Sequence, residues 1–190
     1  MPRTWDERYL AGEGLGAEPS PLLVRAIADL PPGRALDLAC GFGRHAILLR
    51  RLGWQVTAVD ASSVAIAALN SRSLEIDARV ADLERCEFLI APGAWDLICD
   101  FHYLQRDLFP AMCAGVRPYG LFVASFRLSG SYCVRPGEIC DLFSQWEILH
   151  YSEAGCAEII ARKIDSESAR ESRGAASAQT KRPDLGIAPD

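Results

Sequence analysis

Ala35-Leu36-Asp37-Leu38-Ala39-Cys40-Gly41-Phe42-Gly43 is the stretch that decides how this chain folds. A short apolar run passes into a glycine turn, and from Arg44 to Leu52 apolar residues then recur at helical spacing. Gly53 follows at the position where a left-handed residue closes a helix. Strand, glycine turn and helix in that order are the first unit of a strand–helix alternation.

The same pattern extends downstream. Trp54 to Val59 predicts a second strand ending at Asp60, and Ser62 caps a helix of Val64, Ala65, Ile66, Ala68 and Leu69. A third strand, about Ile76 to Ala81, ends at Asp82. A fourth, Trp95 to Cys99, leads to Asp100, Phe101, His102 and Tyr103. Asp107 reads as the cap of a helix whose first turn holds Pro110, where a missing N–H is harmless. Arg117-Pro118-Tyr119-Gly120 turns into a fifth strand, Leu121 to Phe126. Trp146 to Tyr151 and Ala157 to Ile164 follow with no helix between them, which predicts a hairpin at an antiparallel edge.

Upstream, Ser20-Pro21 starts a helix of Leu22, Leu23, Ala26, Ile27 and Leu30, stopped by Pro31-Pro32-Gly33. The expected class is α/β: a doubly wound, mostly parallel sheet, helices on both faces, and an antiparallel C-terminal hairpin. Residues 1–19 form an N-terminal arm or lid and 20–165 the domain. Residues 166–190 are rich in Ser, Ala, Arg and Glu, with Leu185 and Ile187 as their only large aliphatics. Such a tail cannot offset its ordering entropy, and disorder or a frayed helix is expected.

A formal charge of −5 and no basic stripe weigh against a nucleic-acid partner, which needs Lys and Arg to neutralise phosphates. The seven cysteines form no CxxC and no Cys/His set at zinc spacing, so no metal is expected and they read as small buried hydrophobes. The charged opening Met1 to Arg8 lacks the apolar core of a secretion signal, and no apolar run approaches the ~20 residues of a membrane span. The expectation is a cytoplasmic protein whose partner is a small molecule, with no membrane association.

Three carboxylates and the glycine turn lie at the carboxyl ends of predicted strands, the edge where open α/β sheets bind ligands. The turn alone equally serves a dinucleotide, and Ala46 even supplies the small third residue of G-x-G-x-x-A. Asp37 shifts the reading. Inside strand one it gives a pyrophosphate nothing, whereas a ligand carrying ammonium and sulfonium gains from it. Asp60 can accept from both hydroxyls of a ribose. Asp82 can accept from an adenine amino group, with the Leu83 N–H beside it.

At this point the chain resembles the class I S-adenosylmethionine-dependent methyltransferases, over roughly residues 20–165. Asp37 to Gly43 matches that family's first motif, Asp60 the second, and Asp82-Leu83 the third. Trp5-Asp6-Glu7-Arg8-Tyr9, and Tyr103 to Pro110, look like the small tellurite-resistance-type members. The resemblance implies a Rossmann-like fold and S-adenosylmethionine as cofactor, with S-adenosylhomocysteine as product. It implies a cofactor site of Asp37, Ala39, Gly41, Gly43, Asp60, Ala61, Asp82, Leu83 and Phe101, closed by Trp5, Arg8 and Tyr9. Departures are Ala39 at a usual glycine, which implies no positive φ there, a small Ala61 against adenine, and Tyr119 before Gly120.

His102, Tyr103 and Arg127 are the candidate catalytic residues, because they follow strands four and five at the ligand edge. The implied reaction is in-line methyl transfer to a soft nucleophile: a thiol, a chalcogen species or an amine. His102 or Tyr103 would take a proton if the nucleophile carries one. Each residue also has a plainer role: Tyr103 and Arg106 can pack and pair within the next helix, Arg127 can sit in solvent, and Trp5 and Tyr9 can anchor the arm. His45 and His150 read as structural or solvent-facing. An NAD-dependent oxidoreductase and a non-catalytic binding domain are the rival classes.

Overall fold

The computed structural model describes residues 4–72 and 75–165. The expectation about the tail lies outside them. One sheet holds β1 (Arg34–Leu38), β2 (Gln55–Asp60), β3 (Asp77–Val80), β4 (Trp95–Phe101), β5 (Val116–Arg127), β6 (Glu147–Ser152) and β7 (Cys156–Arg162). Their order is β3-β2-β1-β4-β5-β7-β6. β1 to β5 pair in parallel, while β7 runs antiparallel to both β5 and β6. Strand order reverses between β1 and β4, and that switch point opens a crevice above the strand tips.

Alternating strand residues feed two cores. Ala35, Val56, Leu97 and Val123 face one side, against α2 (Pro21–Ile27), α3 (Arg44–Arg51) and α4 (Ser63–Asn70). Leu36, Val59, Ile98 and Phe122 face the other, against α5 (Phe109–Gly115) and α6 (Glu138–Leu142). On that second face Phe122 stacks on Phe143 with centroids 4.6 Å apart, and Phe109 packs among Phe122, Phe126 and Phe143. Lys163 donates to the carbonyls of Cys113 (2.7 Å) and Val116 (2.6 Å), tying β7 to the end of α5. The fold is thus the expected doubly wound sheet with an antiparallel C-terminal pair.

Several details differ from the sequence reading. Residues 5–10 of the arm form a helix, α1 (Trp5–Leu10), because Thr4 and Glu7 make a reciprocal capping box. Asp107 caps nothing: it sits in a 3-10 turn (Arg106–Leu108), and Leu108 precedes α5 without a side-chain cap. Arg106 reaches α6 rather than its own helix, pairing with Glu138 at 2.6 Å. β4 continues through Phe101. Arg117 to Gly120 interrupt the β4–β5 register inside β5 instead of preceding it. Of the cysteines Cys40 and Cys99 are buried, Cys113 packs half-buried against the core, and Cys86 is exposed, so they are not all buried core residues.

Candidate active site

One cavity of about 360 Å³ opens at the tips of β1, β2 and β4, roofed on one side by α1. It is lined by Asp37, Asp60 and Asp82 together, so the three acids that the sequence singles out share one crevice. Ala39, Gly41, Ala61, Leu83 and Phe101 line it as well, as do Trp5, Arg8 and Tyr9 from α1, and His102, Tyr103 and Arg127.

Gly43 does not. It precedes α3 at φ +75°, and a Cβ there would stand 2.6 Å from Leu69 Cδ1. Its role is to let the turn pack on α4. Ala39 lines the cavity but at φ +49°, against the expectation of an ordinary backbone there. The turn needs a left-handed residue whether or not glycine supplies it. Tyr119 likewise takes φ +65°, its N–H donating to the Lys163 carbonyl at 2.7 Å.

The acids differ in what they already hold. Asp37 is 1% exposed; its Oδ2 accepts from the Ala46 N–H at 3.1 Å, at the start of α3. Its Oδ1 lies 4.0 Å from His45 Nδ1, beyond hydrogen-bond reach. Burial pushes this carboxyl up to about 7. Asp60 is also buried and raised by burial, partly offset by donors: Ser62 N–H to Oδ1 at 2.9 Å and Gly41 N–H to Oδ2 at 2.8 Å. The Tyr9 hydroxyl lies beside Asp60, and a Cβ on Gly41 would come within 2.9 Å of that hydroxyl. Glycine therefore lets backbone and α1 meet here. Asp82 is more open: Oδ1 accepts from Glu84 N–H at 2.9 Å and Oδ2 faces Arg85 at 3.3 Å.

The arm docks through side chains. Asp6 accepts from the Ser62 and Ser63 hydroxyls on α4, Trp5 stacks on Tyr9, and Tyr9 meets Phe42 edge-on at 5.0 Å. The Arg8 guanidinium covers the Trp5 ring at 3.9 Å and pairs with Glu13.

Across the cavity, His102 is held at φ +66°, its N–H donating to Ser125 O at 2.7 Å. A non-glycine residue in that region is strained and marks a position where the surroundings dictate the backbone. Burial, Arg44 and Arg127 lower its proton affinity. Tyr103 donates to Gln105 Oε1 at 2.6 Å, and burial raises its pKa. The sequence reading misses Arg44 and His45 as lining residues, although both sit in the first turn after the glycines. His45 is buried rather than solvent-facing: its Nε2 accepts from Ser20 N–H at 3.2 Å and its ring lies 4.1 Å from Phe101.

Residues 35–120 match a methyltransferase domain model. Over 154 residues the chain is 27% identical to the probable S-adenosyl-L-methionine-dependent methyltransferase TehB of Haemophilus influenzae, covering 69% of this chain and 52% of that protein. It spans about half the length of the curated relatives it matches first. The crystal structure of the Haemophilus influenzae TehB superposes with a TM-score of 0.71 at 22% identity, covering 83% of this chain and 67% of that one. An 87-residue stretch is 36% identical to a ubiquinone biosynthesis O-methyltransferase of Xanthomonas campestris, covering 44% and 36%.

Residues 35–120 thus carry a methyltransferase domain, and the chain as a whole resembles the class I S-adenosylmethionine-dependent methyltransferases.

The cofactor of that class is S-adenosylmethionine, and the pocket fits it on its own chemistry. A buried carboxylate with an oxygen free of hydrogen bonds, Asp37, suits a cationic methionine end. The buried carboxylate of Asp60 and the more open one of Asp82 suit a ribose and an adenine amino group. Among the described residues there is no cluster of three metal-ligating side chains, and no helix is long and apolar enough to cross a membrane.

Proposed function

We propose that this chain transfers a methyl group from S-adenosylmethionine to a small soft nucleophile, a thiol or a chalcogen species. The observation that carries the reading is one cavity with two halves: three acids on the β1–β2–β3 side, and His102, Tyr103 and Arg127 on the β4–β5 side. When bound, S-adenosylmethionine would supply an electrophilic methyl group to the acceptor's lone pair, its sulfur keeping the electrons of the bond that is lost.

Asp37 holds the ammonium end, Asp60 the ribose, and Asp82 with the Leu83 N–H the adenine. Trp5 and Tyr9 exclude water from above. The chain's main contribution is alignment, because a sulfonium is already reactive. His102, whose proton affinity is lowered by burial and two arginines, can accept a thiol proton at an imidazole nitrogen. Tyr103, raised away from ionisation, serves as a donor and not as a base.

Asp37 favours this over the dinucleotide reading, since a buried carboxylate repels a pyrophosphate. The test is product formation: S-adenosylhomocysteine should accumulate with at least one member of a panel of small thiols, selenite and tellurite. No product with any of them, from protein that binds the cofactor, leaves a non-catalytic binding domain.

A further inference from the structure

The acceptor half of the cavity carries a charge pattern that the donor does not explain. Three arginines line the cavity: Arg8, Arg44 and Arg127. Arg8 is neutralised by Glu13. Eight described arginines have a carboxylate partner, yet neither Arg44 nor Arg127 has an ion pair or a side-chain hydrogen bond among the described residues. Arg44, at the start of α3, also acts on Asp37, so Arg127 is the cavity-lining guanidinium whose charge no donor-side acid answers, and such a group draws in an anion. The effect of Arg44 and Arg127 on His102 is visible: both push its proton affinity down.

Position says whose anion it is. Arg127 closes β5, two strands away from β1 and Asp37, while the donor acids stand on or beyond β1, β2 and β3. The His102 N–H bonded to Ser125 O holds the β4 and β5 tips together, which puts His102 and Arg127 on the same side of the cavity. The acidic group near His102 on this side is Glu158 of β7, which lies 3.9 Å from His150. A guanidinium fork matches the plane of a carboxylate. A cavity of about 360 Å³, shared with a nucleoside-bearing donor, leaves space for a small acceptor only.

We infer that Arg127, lining one cavity with Arg44 and His102, forms an anion subsite that selects an acceptor bearing a carboxylate close to its thiol. This rests on the methyl-transfer reading above and narrows its substrate class. The carboxylate lies against Arg127, which turns the sulfur toward His102 and the donor half.

The probes are mercaptoacetate and its neutral isostere mercaptoacetamide, titrated calorimetrically into the full chain saturated with S-adenosylhomocysteine. The acid should bind at least about tenfold more tightly than the amide. In Arg127→Gln, a change at an exposed side chain, the two should bind within about twofold of each other while S-adenosylhomocysteine affinity holds within about twofold. Equal binding of the two thiols to the parent chain, or binding of neither, overturns the subsite. So does a tenfold loss of S-adenosylhomocysteine affinity in Arg127→Gln, which would assign the arginine to the donor. Failure of the parent chain to bind S-adenosylhomocysteine strikes the methyl-transfer reading itself and takes the subsite with it.

Discussion

Asp37 and His45 set opposing pH dependences within 4.0 Å of each other. Asp37 is raised from 3.8 to about 7, chiefly by burial, then relieved by the Ala46 N–H and Arg44 and raised again by Asp60. Between those pH values the folded chain binds more protons than the unfolded one, so this residue makes stability fall as pH rises. His45 is lowered to about 3 by burial, Arg44 and His102; it makes stability rise with pH up to its ordinary value. Asp37→Asn removes the first effect alone. Relative to the parent, the ligand-free variant should gain stability from pH 4 to pH 7, by as much as about 4 kcal/mol. Melting temperatures across that range measure it, and a constant difference between the two proteins contradicts it. Ala39 gives a simpler test. At φ +49° it pays the left-handed penalty, so Ala39→Gly should stabilise by about 0.5–1 kcal/mol in urea unfolding, and a loss of stability would contradict the strain.

The β1–turn–α3 element shows how a glycine can matter without touching a ligand. Gly43→Ala would need φ +75° and would drive its Cβ into Leu69, itself buried, so a cost of about 1–3 kcal/mol is expected in urea unfolding. A neutral result would remove the close packing of this turn on α4. The sequence reads this element well because its apolar periodicity and its glycines act locally. It also foresees the β6–β7 hairpin, where two strand-like runs lack a helix between them. It assigns Gly43 to the cofactor because spacing cannot tell a backbone that faces a ligand from one that faces a neighbouring helix. It gives Ala39 an ordinary backbone because alanine adopts a left-handed conformation only when the surrounding fold imposes it. α1 is legible in Thr4 and Glu7, a capping box, but Gly12, Gly14 and Gly16 beyond it mask so short a helix. α6 spans five residues after Gly137, too few for periodicity to register. Arg44 and His45 are hidden for a different reason: which side of α3 meets the crevice depends on how the helix docks on β1 and β2.

At the scale of the whole molecule, the sheet order places all of this chemistry. Reversal between β1 and β4 brings carboxylates from one half of the sheet and His102 and Arg127 from the other around a single cavity, with α1 against its rim. The acid-bearing half is legible in the amino-acid sequence, because each of its motifs is a contiguous run at a strand end. The other half depends on where β4 and β5 end, and β4 runs through Phe101, past its expected end at Cys99. The central claim is that the acids grip S-adenosylmethionine, and calorimetric titration of that cofactor into the parent chain and Asp60→Ala tests it most directly. The account predicts binding to the parent and a loss of about 1.5–3 kcal/mol in the variant, roughly tenfold to a hundredfold in affinity. Equal affinity in the two proteins would contradict it.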